Sequence, residues 1–336
     1  MAAQSTIQRG QKSLAFSVGN FDFMTTNHAT AILAKEKATP DFHPVMDFLA
    51  QSPLNRALTH KPIFIPEVVG EVWQSAKVSE GKITITFGEF TYDITEDAIN
   101  TALGLPVKQT FDANSNDDDI RNMFRSLNYA GTLDDLSEIK RPFLRKEWSF
   151  FFDQISKAFT GKCSGYDAIT SITSQIGYSL LSNKVINIAK LLLHQMGTKM
   201  RIVETGRVKV YYHRFLMMLL LHFIPDLSMQ AGTKIIKECY SQGVRIFSDL
   251  NRESVKLEAK LRDQGTPFPA MVYPEVMISK LKELDSVKYN DQFFSGAVAQ
   301  GLEMENPSVP SPSTTSAKTK QPSKTKSRSL NKQSTK

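Results

Sequence analysis

The stretch Ile83–Ile94 limits the fold more than any other. Ile83, Ile85 and Phe87 alternate with Thr84 and Thr86, and beyond Gly88-Glu89 the residues Phe90, Tyr92 and Ile94 alternate with Thr91 and Asp93. Alternation of period two on both sides of a short Gly-containing turn predicts a β-hairpin with one apolar face. That face has to sit on something, and the flanking sequence supplies helices. Pro44 stands at a helix-starting position ahead of VMDFLAQS, with Val45, Phe48 and Leu49 on one side, and Leu54–Leu58 continues after Pro53. Pro66 opens EVVGEVWQSAKV, where Val68, Val69, Val72, Trp73 and Ala76 follow helical spacing. Thr95 is placed to cap EDAINTALG, which has acids in its first turn and Gly104 as its stop before Pro106. Residues 41–106 therefore read as a helix–helix–hairpin–helix unit. Ile83, Ile85, Phe87, Tyr92 and Ile94 are the candidates for its buried face.

Elsewhere the pattern is helical or absent. Residues 107–140 form an acidic connector with one weakly helical piece, IRNMFRSL. From Arg141 onward helices are expected at 142–159, 166–182, 185–200, 207–224, 232–248, 252–263 and 274–285. Val208–Tyr212 is ambiguous, because β-branched and aromatic residues cluster there, and nothing else in this half reads as strand. Residues 1–40 read as a loosely ordered arm in which Leu14–Met24 could pack locally. Residues 301–336 are Pro, Ser, Thr, Lys and Gln with almost no apolar content. Such a segment cannot bury enough surface to offset its ordering entropy and is expected to be disordered. The expected fold is mainly α with a small β-hairpin (α+β): a helical domain over 141–300, the N-terminal unit and a disordered basic tail.

Charge divides the chain at the same place. The 336 residues carry 41 Lys+Arg and 34 Asp+Glu, a net +7. Seven of the cations (Lys318, Lys320, Lys324, Lys326, Arg328, Lys332 and Lys336) lie beyond Asn306, where no acid occurs. Positions 1–305 therefore hold 34 charges of each sign. A neutral body with a cationic arm does not suggest a basic enzyme cleft. The arm reads as a nucleic-acid contact or import signal, or as a solvated linker. Cys163 and Cys239 are too few for a zinc site or a disulfide framework, which fits a reducing compartment. Met1–Asn20 holds no apolar run of signal-peptide length, and FLMMLLLHFI at Phe215–Ile224 is about half a bilayer span. The sequence thus points to a soluble intracellular protein that does not cross a membrane.

No catalytic constellation stands out. The histidines His28, His43, His60, His194, His213 and His222 show no H-E-x-x-H spacing, and there is no CxxC, so no metal ligand set is expected. His213 and His222 are nine apart, on opposite faces of a helix. Asp112 with Asp117-Asp118-Asp119 lacks the glycine and final glutamate of a calcium loop and reads as an exposed acidic loop. GxxxxGK[ST], GxGxxG and GxSxG are missing. Gly161-Lys162 with Gly165 reads as a turn between helices. Trp148–Phe152 and Val210–Phe215 could stack bases if exposed, but their helical spacing favours a core. A dispersed active site would need His194 or His213 beside a carboxylate in a deep pocket. No cofactor and no small-molecule substrate is expected.

Two blocks of the chain carry a resemblance. FHPVMDFLAQSPLNRALTHKP, IPEVVGEVWQSAKV and KITITFGEFTYDITEDAINTALGLP form the first. The second runs from FTGK at Phe159–Lys162 through SGYDAITSITSQIGYSLLSNKVINIAKLLLHQM to YYHRFLMMLLLHF. Together they resemble the gag-like or uncharacterised reading frames of flowering-plant LTR retrotransposons. The hairpin and the helix ending in ALGLP are also similar to the plant mobile domain. Neither family supplies catalytic residues. The chain departs from full gag and pol patterns in lacking a CCHC zinc knuckle, an Asp-Ser/Thr-Gly motif and a Tyr-x-Asp-Asp motif. The first resemblance implies a non-enzymatic structural protein that forms homo-oligomers through its body and meets RNA or DNA through its tail. The second implies a nuclear module that recruits a protein partner, and the nucleus is favoured slightly over the cytoplasm.

Overall fold

The computed structural model describes residues 21–23, 29–162, 165, 167–202, 208–230, 245–284 and 288–294, all within one unit, Met1–Leu302. Strand β1 (Phe21–Phe23) comes first. Helix α1 (His43–Ala50) holds Pro44 in its first turn, where a missing N–H costs no hydrogen bond. Helix α2 (Asn55–Thr59) follows, and α3 (Pro66–Ser75) opens on Pro66 for the same reason. Strands β2 (Lys77–Ser79), β3 (Lys82–Phe87) and β4 (Phe90–Ile94) then form an antiparallel sheet in the order β2-β3-β4. Ile83 pairs with Ile94 and Ile85 with Tyr92. Gly88 turns the chain at φ 61°, a positive value that L side chains rarely adopt. Helix α4 (Glu96–Leu103) is capped by Thr95, whose Oγ1 accepts the Ala98 N–H at 3.3 Å. Gly104 ends it in the left-handed conformation, φ 65°.

The second half contributes α5 (Asp117–Ser126), α6 (Lys146–Phe159), α7 (Ser171–Ser182) and α8 (Ile188–Met200). Strand β5 (Val208–Val210) precedes α9 (His213–Phe223), and α10 (Ile246–Asp263), α11 (Glu275–Leu284) and α12 (Asp291–Phe294) follow. The fold is mainly helical with small sheets, as the sequence predicts. One cluster of buried side chains runs from Phe21 to Phe294 and takes in both halves. Helix α6 is buried on every side: Trp148, Phe150, Phe151 and Phe152 are sealed from solvent, so the aromatic run is core. Its buried Asp153 is compensated by Lys157 Nζ at 2.9 Å and Arg141 Nη1 at 3.6 Å. The Val210–Phe215 run is likewise buried throughout. Among the described residues no helix is long and apolar enough to cross a membrane.

The structure differs from the sequence reading at several points. The expected hairpin is a three-stranded sheet, because the helix from Pro66 stops at Ser75 and Lys77–Ser79 pairs with β3. Tyr92 is half-buried; its ring stacks on Phe223 with centroids 5.3 Å apart. Val208–Val210 is strand, paired parallel with β1, and helix α9 starts at His213 instead of 207. Within the segment read as a loose arm, Phe21 is buried in β1 and Ala29 and Thr30 are buried as well. The helices expected from 166 and 185 start later, at Ser171 and Ile188, after the capping side chains Thr170 and Asn187. The pieces expected at 232–248 and 252–263 become one helix over the described residues, Ile246–Asp263; 232–244 lies outside them.

Candidate functional site

The sharpest sequence candidates, Lys318, Lys320, Lys324, Lys326, Arg328, Lys332 and Lys336, lie outside the described residues. The remaining candidates can be placed. The acidic group has structural duties. Asp119 and Asn116 form a reciprocal capping box at the start of α5, with Asp117 and Asp118 in the same first turn. Arg121 Nη1 donates to Asp118 at 3.1 Å. Asp112 accepts the Val185 N–H at 2.6 Å and Lys108 Nζ at 3.1 Å, and these bonds hold its carboxyl below the usual carboxylate range. No metal-binding cluster of His, Cys, Asp or Glu occurs among the described residues.

The Gly161-Lys162 turn serves packing. The Gly161 N–H donates to the Tyr212 hydroxyl at 2.9 Å, and a Cβ at Gly161 would stand 2.9 Å from Tyr212 Cε2. Tyr212 itself is buried and sits at φ 56°, a strained value for a bulky residue, held by the core around it. Lys162 Nζ donates to the Ala168 carbonyl at 2.8 Å. Burial lowers its pKa; Asp167 opposes that and the Arg141 charge adds to it.

His213 is sealed in the core, with Phe64 edge-on at 5.3 Å between ring centroids, while His194 and His222 are exposed. His194 lies between two open clefts, and Lys190 lines both of them. One, about 240 Å³, is lined by the β2–β3 turn, Glu96, Gly197 and Arg201. The other, about 260 Å³, is walled by Asn114, Ser171, Gln175, Asn187 and Gln195. Two of these side chains are committed to the fold: Asn187 Nδ2 donates to Glu96 at 2.7 Å, and Gln175 Oε1 accepts the Ser115 hydroxyl at 2.7 Å. No hydrogen bond joins the His194 ring to a carboxylate among the described residues. His194 and Glu96 line the same cleft, where the Glu96 carboxylate accepts from Asn187. Sequence reasoning named His194 and missed Lys190, Glu96 and Arg201. Lys190 and Arg201 belong to α8 and its C-cap, as His194 does, whereas Glu96 comes from α4, and the set matches no motif spacing that could have found it.

One titratable group is set apart by its surroundings. Glu71 Oε1 accepts the Gly88 N–H at 3.2 Å, while Oε2 is buried with no hydrogen-bond partner. Burial raises the Glu71 pKa, and the Gly88 bond opposes this only in part. A raised folded-state value means that the stabilising protonation is complete below the ordinary Glu pKa and is lost as pH rises through the folded one. Glu71→Gln is therefore expected to raise the melting temperature at about pH 7 and to leave it nearly unchanged at about pH 4, where the carboxyl is mostly protonated. Equal effects at both values, in parallel calorimetric scans, would show that Glu71 bears no titration strain.

Comparison with known proteins adds no relative: no family model matches the chain, and no curated protein or solved structure is significantly similar to it.

Proposed function

We propose that this chain is a non-enzymatic, gag-like structural protein that self-associates through its helical body and contacts nucleic acid through its basic tail. The observation that carries this reading is the partition of charge: 34 cations against 34 anions in positions 1–305, and seven cations with no anion beyond Asn306. Pairing inside the body supports it. Asp93 meets Lys82 at 2.7 Å, Asp41 meets Lys146, and Asp47 meets both Lys35 and Lys288. A body that neutralises itself leaves the tail as the source of long-range attraction to phosphates. The resemblance to gag-like reading frames points the same way.

RNA-binding anisotropy across a salt series tests this with the full chain and a variant in which Lys318, Lys320, Lys324, Lys326, Arg328, Lys332 and Lys336 are all changed to Gln. The full chain is expected to bind with a log–log salt slope of up to about 6, the ceiling for seven phosphate contacts on a duplex and less on single strands. The variant is expected to lose most of that affinity and slope. If neither binds, the tail is a linker or targeting segment. The plant-mobile-domain-like reading, a nuclear module that recruits a protein partner, then takes the lead.

A further inference from the structure

Strand β1 pairs with β5 across most of the chain: Phe21 lies beside Val208, Asp22 beside Lys209 and Phe23 beside Val210, in parallel. Three residues per strand make too few main-chain bonds to hold such a pair, so side chains must hold it. Phe21 is buried, and its ring lies in a slot that exists because residue 70 is glycine: a Cβ there would stand 2.7 Å from Phe21 Cε2. Phe23, two residues on, shares its face of the strand. It packs edge-on against Phe64, with centroids 5.1 Å apart, and near the His213 ring at 6.5 Å. Asp22 between them is exposed. The body thus offers a strand, a glycine slot and an aromatic wall. This is a seat for an extended aromatic–polar–aromatic segment added by β-augmentation.

We propose that this seat is an exchange site between copies of the chain: Phe21–Phe23 of one copy adds to β5 of a second, and the reverse. The chemistry of the occupant is on view, because the chain's own segment fills the seat. An identical segment from a second copy makes the same contacts, so exchange is a low-cost route to a dimer. Reach fixes the geometry. Ala29 is anchored in its own body at 2% exposure, and the link 24–28 spans at most about 20 Å. The two seats must therefore face each other, which favours a closed two-fold pair over an open chain. This rests on the self-association in the proposed function and gives it a surface.

Cross-linking tests it. Neighbouring strands lie about 4.7–4.9 Å apart, inside the Cα range of a disulfide, so Asp22 and Lys209 suit a cysteine pair. Both native cysteines are first removed by Cys163→Ser and Cys239→Ser in the full chain. A chain carrying Asp22→Cys and Lys209→Cys together is expected to close an internal disulfide at low concentration, which shows that the seat forms. A mixture of Asp22→Cys chains with Lys209→Cys chains is expected to yield a 22–209 disulfide between chains, identified by mass spectrometry and rising with concentration. Adding Phe21→Ala and Phe23→Ala to the Asp22→Cys partner should reduce that yield at least tenfold. The proposal is overturned if the double variant does not close, or if it closes while the mixture gives no 22–209 link at any concentration. Light scattering on the unsubstituted chain separates the two ideas. A dimer without the mixed disulfide keeps self-association and removes exchange, whereas a monomer throughout removes both.

Discussion

Replacing Arg214 with Ala is expected to cost about 3–5 kcal/mol in a urea melt, because the side chain is a buried charge that ties three segments together. Arg214 is fully buried. Its Nη2 donates to the Ala57 carbonyl at 2.7 Å and to the Ala158 carbonyl at 3.4 Å, and its Nη1 to the His60 carbonyl at 3.1 Å. Ala57 and His60 lie at the C-terminal end of α2, and Ala158 is the penultimate residue of α6. Helix C-termini present carbonyls without intrahelical donors and a partial negative charge, so a guanidinium placed there is favourable on both counts. Its face also lies 4.6 Å from the Phe215 ring centroid. Truncation strands buried carbonyls and leaves a cavity. Arg214→Lys should recover less than half of the loss, because one ammonium on a flexible stem cannot span three carbonyls. Arg252→Ala is the control, since the Arg252–Asp249 pair is 67% and 48% exposed, and its change should stay within about 0.5 kcal/mol. A loss below about 1 kcal/mol for Arg214→Ala would remove the side chain as the tie between halves.

Arg214 also marks the limit of what the sequence discloses. The local signals translate directly: Pro66 starts α3, Thr95 caps α4, Gly104 stops it, and the Ile83–Ile94 alternation gives β3 and β4 with the expected pairing. Each of these depends on residues a few positions apart. Arg214 sits within YYHRF and looks like a charge interrupting a core helix. Its partners are 154 and 157 residues upstream and 56 residues upstream, and no periodicity announces them. The β1–β5 pairing is hidden for the same reason: a parallel pair has no hairpin turn to advertise it. β2 was lost differently, since Ala76-Lys77-Val78 continues the apolar spacing of α3 and nothing in the spacing marks the switch at Ser75. The site candidates divide in the same way. The tail cations are proposed from composition alone and lie outside the described residues, whereas the clefts beside His194 draw on a turn and three helices that only tertiary packing brings together.

Trp148→Ala is expected to cost about 3–5 kcal/mol in the same urea melts, the range for removing a fully buried large aromatic side chain. Trp148 is completely enclosed in α6, with Phe151 edge-on at 5.7 Å between centroids. Trp73, at 8% exposure on α3, lies beside Tyr211 at 6.0 Å and should fall at the lower end of that range when truncated. The two tryptophans separate further on replacement by Phe. Trp148 Nε1 is buried with no hydrogen-bond partner, so the native ring already carries the desolvation cost of an unused donor. Trp148→Phe removes that cost along with part of the ring volume. The lost packing and the relieved donor oppose each other, and the net loss should be at most about 2 kcal/mol. Trp148→Ala and Trp148→Phe are best read as a pair, from urea midpoints at equal slope. If the Phe variant loses as much as the Ala variant, the indole N–H has a partner that the fold conceals, and the enclosure of α6 is polar at that point. If the Ala variant loses less than about 1 kcal/mol, Trp148 is solvent-exposed and α6 is not the central helix of this core.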